Sequence, residues 1–210
     1  HRLLPPVITV AGSKGKGSTT HLIASILASA GLRTGMYTSP HIDRWNERIV
    51  AEGQEILDEE ASVLIARHGD AFLSPASNGE RATYFEAMTA MAFLYFANRK
   101  LDVVVLEVGL GGTYDAVNVC DAEVGVITQL GLEHQAILGD TLAQIAREKA
   151  GILRPAQYAI LEHQPIEATA VLWAEAERVG AFHLDAGHWT IRQEEAGRAD
   201  QQIFLTQGKQ

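Results

Sequence analysis

Cysteine is nearly absent: Cys120 is the single one in 210 residues, so no disulfide can close within the chain. That scarcity fits a reducing compartment, and a cytoplasmic location is the expectation. Long apolar runs are missing as well. The most apolar stretch, Met88 to Phe96, is bounded by Glu86 and Asn98 and falls short of the roughly eighteen residues that a membrane-spanning helix needs. A membrane partner is not expected. No basic segment, apolar run and small-residue cleavage site open the chain, because His1-Arg2-Leu3-Leu4-Pro5-Pro6 passes directly into a strand pattern. Export therefore has no support. Positive charge is also in deficit: 17 Lys and Arg against 26 Asp and Glu give a net charge of −9. An acidic chain is poorly suited to a broad grip on nucleic acid, yet it can still hold one local anion site.

What is present suffices for one large core, since 47% of the residues are hydrophobic and 20% charged. Val7 to Ala11 reads as a β-strand that ends in a glycine-rich turn, and His21 to Ala30 follows with helical spacing of Leu22, Ile23, Ile26 and Leu27. Thr34 to Thr38 reads as a second strand, entering a loop at Ser39-Pro40-His41. Ile56 to Arg67 and Tyr84 to Asn98 read as helices separated by an exposed connector from His68 to Gly79. Val103 to Val108 and Val124 to Thr128 are continuous β-branched runs, the pattern of parallel strands buried on both faces. Leu142 to Ile152 reads as helix, Tyr158 to Leu161 as strand and Ile166 to Val179 as helix. From His183 onward the pattern shifts to short alternating segments, Trp189 to Arg192 and Ile203 to Leu205, suited to antiparallel strands. The fold class expected is α/β: a mostly parallel sheet flanked by helices, with a phosphate-binding loop and a short antiparallel β segment near residue 210.

Gly12-Ser13-Lys14-Gly15-Lys16-Gly17-Ser18-Thr19 lies between the first strand and the first helix, which is the context a phosphate loop requires. Glycines let backbone N–H groups turn toward a phosphate, the helix start adds partial positive charge, and Lys16 can neutralise β and γ oxygens. Ser18 or Thr19 could reach magnesium. The spacing departs from the usual phosphate loop, with Gly12 and Gly15 close together and Gly17 between Lys16 and the hydroxyls. The alternative is a plain strand-to-helix turn with two solvated lysines.

Several blocks then occur in order: the glycine loop, Tyr37-Thr38-Ser39-Pro40-His41, Asn46-Glu47-Arg48-Ile49, Leu106-Glu107-Val108-Gly109-Leu110-Gly111-Gly112, Asp115-Ala116-x-Asn118, Gly131-Leu132-Glu133-His134-Gln135, Leu138-Gly139-Asp140-Thr141 and Glu148-Lys149-Ala150-Gly151-Ile152. Over residues 7 to 155 the chain closely resembles the central domain of the folylpolyglutamate synthase/dihydrofolate synthase family of Mur-type ligases. The resemblance implies ATP and magnesium, with two ions expected. It implies a folate or dihydropteroate and L-glutamate as substrates, joined through an acyl phosphate. It assigns Gly12, Ser13, Lys14, Gly15, Lys16, Gly17, Ser18 and Thr19 to the nucleotide, and Ser39, Glu107 and His134 to magnesium. Lys149, carbamylated in the family, takes a second-metal role, and Lys16, His134 and Lys149 form the catalytic set. Taken alone, Glu107 at a strand end and His134 in the next loop would equally suit an ion pair and a helix cap. Lys149 alone would read as a solvated lysine.

His41, Trp45, Arg48 and Asp115 are the candidate folate contacts, because a flat aromatic between cationic side chains suits a pteridine ring or its acidic tail. Trp45 could instead anchor a loop, and Asp115 with Asn118 could form an Asx turn. His21, His68, His163, His183 and His188 show no ligand spacing and read as surface or structural. Four positions depart from the family pattern: Lys14 for asparagine, Glu133 for aspartate, Trp45 for phenylalanine and Thr113 for arginine. The family's helical lead-in and its separate C-terminal glutamate-binding domain do not fit this length. Residues 1–210 are thus expected to be one central domain, incomplete at both ends, monomeric, and free of nucleic-acid partners. Another Mur-type ligase, of cell-wall or cyanophycin type, and an ATP-binding module without ligase activity of its own are the alternatives.

Overall fold

The computed structural model describes residues 2–75, 79–186, 189–195 and 201–207. Strand β1 (Val7–Ala11) leads through α1 (Lys16–Ser29) to β2 (Thr34–Tyr37), and a short hairpin, β3 (Ile49–Ala51) and β4 (Gln54–Glu55), follows. Helices α2 (Asp58–Leu73) and α3 (Tyr84–Ala97) precede β5 (Val103–Glu107) and β6 (Val124–Ile127). The chain continues through α4 (Gln135–Leu138), α5 (Leu142–Ala150), β7 (Tyr158–Leu161), α6 (Ile166–Val179) and β8 (Phe182–Asp185). A separate antiparallel pair, β9 (Trp189–Glu195) and β10 (Gln201–Gln207), comes last. The main sheet runs β4-β3-β2-β5-β1-β6-β7-β8, parallel from β2 to β8 and antiparallel at β3 and β4.

This order fixes where a ligand can sit. β1 is central, with β5 on one side and β6 on the other. The loops leaving β1, β2, β5 and β6 at their carboxyl ends therefore gather around one crevice, the switch point at which open α/β sheets bind ligands. Alternating β1 residues serve opposite faces. Ile8 and Val10 pack with α1 residues Ile23, Ala24 and Leu27. On the other face Val7 joins the α3 cluster of Met88, Ala92 and Phe96, while Ala11 joins Ala146 and Leu172 of α5 and α6. Among the described residues no helix is long and apolar enough to cross a membrane.

Several boundaries differ from the sequence reading. Helix α1 begins at Lys16 rather than His21, since Gly15 at φ 79 turns the chain and the following Gly17 is accommodated in the first turn. Helix α2 continues to Leu73 through the expected connector: Gly69 faces only the Ile65 side chain, so nothing there breaks the helix. Residues 76–78 of that connector lie outside the described residues, as does His188. The region after His183 was expected to be antiparallel, but Phe182–Asp185 pairs in parallel with β7. Its alternating exposure is that of an edge strand, which mimics the antiparallel pattern. The β9–β10 pair matches the expectation.

One buried amide ties the site region to the fold. Gln164, 3% exposed, accepts from the Leu130 N–H at 2.8 Å and donates to the Thr128 carbonyl at 3.0 Å. Gln164→Leu keeps the bulk and orphans both backbone groups. A loss of about 2–4 kcal/mol is expected, read as a lower urea midpoint at unchanged slope; a loss below about 0.5 kcal/mol would contradict this role.

Candidate active site

The phosphate loop is held from below by the segment after β6. Ser13 and Lys14 both donate their N–H groups to the Gln129 carbonyl, at 3.0 and 3.1 Å. The Thr128 hydroxyl donates to Lys14 O at 2.8 Å, and the Ser13 hydroxyl to Gly131 O at 3.1 Å. Gly12, at φ 150, is mandatory here: a Cβ would stand 1.8 Å from Thr128 Oγ1. With Ser13 and Lys14 committed to the protein, the open donors are the first-turn amides of α1, from Lys16, Gly17 and Ser18. No side chain caps this end, so the helix offers unpaired N–H groups and its positive pole to an anion. Lys16 lines the cleft above them. Lys14 and Ser18 are exposed; Thr19 donates its N–H to Gly15 O at 2.9 Å.

Ser39 and Glu107 meet at the ends of β2 and β5, where the Ser39 N–H donates to Glu107 Oε2 at 2.9 Å. Glu107 is only 4% exposed and, among the described residues, has no ion-pair partner. Burial pushes its pKa up, against the Ser39 N–H and the charges of Lys16 and His21. A Cβ on Gly17 would lie 3.5 Å from both carboxylate oxygens, so α1 descends directly onto this group. A buried carboxylate without a cationic partner among the described residues, bonded by the Ser39 N–H and close to the uncapped end of α1, fits a hard divalent ion. His134 lines the same cleft and is exposed, at the start of α4 with φ 45, a left-handed conformation costly for a non-glycine residue. Its side chain makes no capping bond to α4.

Lys149 is fully enclosed, at 1% exposure. Its Nζ donates to the Gly12 carbonyl at 2.7 Å and pairs with Glu133 Oε1 at 2.9 Å. Burial lowers its pKa, and Glu133 opposes that shift. Glu133, one-quarter exposed, is lowered on balance: burial raises it, but the hydrogen bond and charge of Lys149 outweigh that. The lysine is thus not a solvated surface group but a strut between α5 and the phosphate loop.

Of these residues Lys16, Ser39 and His134 line a cleft of about 730 Å³ that also takes in Arg48, Thr83, Phe85, Glu86 and Asp115. It shares Thr83, Glu86, Tyr114 and Asp115 with a second cavity of about 1040 Å³ beneath the start of α3.

Residues 10–207 match the Mur ligase middle domain. The chain belongs to the Mur ligase middle-domain family. The dihydrofolate synthase/folylpolyglutamate synthase of Bacillus subtilis is 43% identical over 206 residues, covering 95% of this chain and 47% of that protein. The structure of E. coli FolC in complex with DHPP and ADP superposes with a TM-score of 0.82 at 36% identity, covering 96% of this chain and 47% of that one. An FPGS–AMPPCP–folate complex gives 0.86 at 33% identity, covering 97% and 50%. The chain spans about half the length of these relatives.

Within this Mur ligase middle domain the candidate folate contacts divide. Arg48, 8% exposed, reaches the cleft, donates from Nε to His41 Nδ1 at 2.8 Å and lies 5.3 Å from the Tyr84 ring centroid. Trp45 packs against the core cluster of Ile49 and Ile56 and does not line the cleft. Asp115 lines it, and its carboxylate also organises the loop, accepting N–H bonds from Val117 and Leu110, each at 2.9 Å. Burial raises its pKa against those bonds. Thr83, Phe85 and Glu86 carry no site motif in the sequence. Their signal was a capping box at Thr83 and Glu86, legible as a helix start rather than as a site.

The loop that carries His41 and Arg48 is fastened by Glu47, whose carboxylate accepts N–H bonds from Ile42, Asp43 and Arg44. The Arg44 bond leads those that pull its pKa from 4.5 to about 2. A carboxyl depressed in the folded state stabilises above its unfolded value, and that contribution is lost as pH falls from 4.5 toward 2. Glu47→Gln is therefore expected to lower the thermal midpoint above pH 4.5 and to converge with the native chain near pH 2. A gap that stays constant across that window would refute the assignment.

Proposed function

We propose that this Mur ligase middle domain is the ATP- and magnesium-binding part of a ligase that joins L-glutamate to the carboxylate of a folate or dihydropteroate. The observation that carries this reading is the convergence, at one switch-point cleft, of an uncapped helix end bearing Lys16 with the buried, unpaired Glu107 carboxylate beside Ser39. The α1 amides and Lys16 bind the β and γ phosphates, where developing negative charge is greatest. Glu107, the Ser39 hydroxyl and His134 are the groups that would hold magnesium, which supplies charge neutralisation on the phosphates. A carbamylated Lys149 would add oxygen ligands for a second magnesium, and the depressed pKa of its amine is the property that such a modification requires.

The acceptor carboxylate attacks the γ-phosphorus, ADP leaves, and an acyl phosphate forms. The glutamate amine then attacks the acyl carbon, phosphate departs, a proton is released and an amide remains. No covalent enzyme intermediate is required; the protein positions the reactants and balances charge. Arg48 stands where a substrate carboxylate can be paired, and the adjoining cavity gives room for an extended acceptor. We take the protein to act in the cytoplasm, supported by its lone buried thiol, and as a monomer.

The test is to incubate the chain with ATP, magnesium, L-glutamate and dihydropteroate or folate, measuring ADP and glutamylated product together. Product formed in step with ADP, and only with all components present, is expected of the ligase. ATP binding without ADP release in any combination would instead favour a nucleotide-binding module.

A further inference from the structure

We infer that Asn118 and Arg154 are positioning residues: together they clamp the last turn of α5 to the loop after β5 and so set Lys149 against the phosphate loop. The inference rests on the nucleotide-site reading above and assigns work to two side chains that touch neither ATP nor acceptor in that scheme.

Lys149 must span from α5 to the Gly12 carbonyl, and a long side chain does this reproducibly only if its Cα is fixed. The end of α5 leaves carbonyls without helical partners. Lys149 O and Ala150 O accept from the next turn, while Glu148 O and Gly151 O also accept from outside the helix. Thr113 donates both its N–H and its hydroxyl to Glu148 O, at 3.0 Å each. Asn118 Nδ2 donates to Gly151 O at 3.0 Å and, across the junction, to Thr113 O at 3.1 Å. Arg154 completes the clasp: Nη1 donates to Gly151 O at 2.8 Å, and Nη2 donates to both Asn118 O and Asn118 Oδ1, at 2.8 and 2.7 Å. The Asn118 carboxamide is thereby used at both ends. The loop also meets α5 backbone to backbone, since a Cβ on Gly112 would stand 2.9 Å from Lys149 Cα. The same loop begins at Glu107, so the clamp joins the carboxylate and the lysine of one site through a rigid path. Arg154→Lys would keep the charge but lose the planar fork that serves these three acceptors at once.

A double-mutant cycle separates positioning from general stability. Native chain, Arg154→Lys, Lys149→Met and the double variant are titrated calorimetrically with magnesium and β,γ-methylene-ATP, and Asn118→Ala is tested in the same two backgrounds. Arg154→Lys alone is expected to weaken binding about tenfold, and to add less than about twofold once Lys149→Met is present. Asn118→Ala must repeat that pattern. Losses that multiply in the double variants would overturn the clamp while leaving the nucleotide site intact. A native chain that fails to bind the analogue would instead overturn the nucleotide-site reading, and the clamp with it.

Discussion

Lys16→Ala is expected to weaken binding of a magnesium–ATP analogue about thirtyfold to 150-fold, the equivalent of roughly 2–3 kcal/mol for a charge-assisted contact to phosphate. The magnitude follows from how the loop divides its labour. Ser13 and Lys14 spend their amides on the Gln129 carbonyl, so the anion relies on the three open amides of α1 and on the single ammonium that lines the cleft beside them. Lys14, exposed on the other limb of the loop, is the internal control. Lys14→Ala should change affinity less than about threefold. Equal losses at the two positions would mean that diffuse charge rather than a formed site attracts the nucleotide.

Glu107→Gln should separate stability from function. The native carboxylate is buried, lacks an ion-pair partner among the described residues, and has its pKa raised by burial. A carboxyl raised in the folded state costs stability as pH rises through its unfolded value, and the cost is complete above the folded one. Glutamine retains an acceptor for the Ser39 N–H and removes the buried charge. The magnesium-free variant is therefore expected to be more stable than the native chain at neutral pH by about 1 kcal/mol, with the difference vanishing below the ordinary glutamate value of 4.5. The same substitution removes the anionic oxygen that fits a hard cation, so the gain in nucleotide affinity on adding magnesium should fall at least about tenfold. A variant that loses stability and keeps its magnesium dependence would show that Glu107 serves packing alone.

Legibility in the sequence followed burial and continuity. β5 and β6 announce themselves because a strand covered on both faces can be a continuous run such as Val103-Val104-Val105-Leu106. β3 and β4 escaped notice because they are three and two residues long and are joined by Gly53 in a left-handed turn. β8 was misread because an edge strand exposes alternate residues. At the site, linear motifs carried Lys16, Ser39, Glu107, His134 and Lys149, which the fold gathers around the carboxyl ends of β1, β2, β5 and β6. The supports were not legible. Gln164 acts on the Leu130 amide and the Thr128 carbonyl, and Arg154 on the Asn118 carbonyl, all far away in sequence, and no residue pattern encodes which carbonyl a glutamine or arginine will meet. Trp45 shows the converse: its flanking His41 and Arg48 suggested a ring-stacking site, whereas the indole packs against the core cluster that includes Ile49 and Ile56.

The central claim is that the uncapped end of α1, Lys16 and the Glu107–Ser39 junction form one magnesium-dependent nucleotide site. Calorimetric titration of the native chain with β,γ-methylene-ATP, with and without magnesium, tests it most directly. One-to-one binding that tightens at least about tenfold with magnesium is the predicted result, and binding that is absent, or indifferent to magnesium, would contradict it.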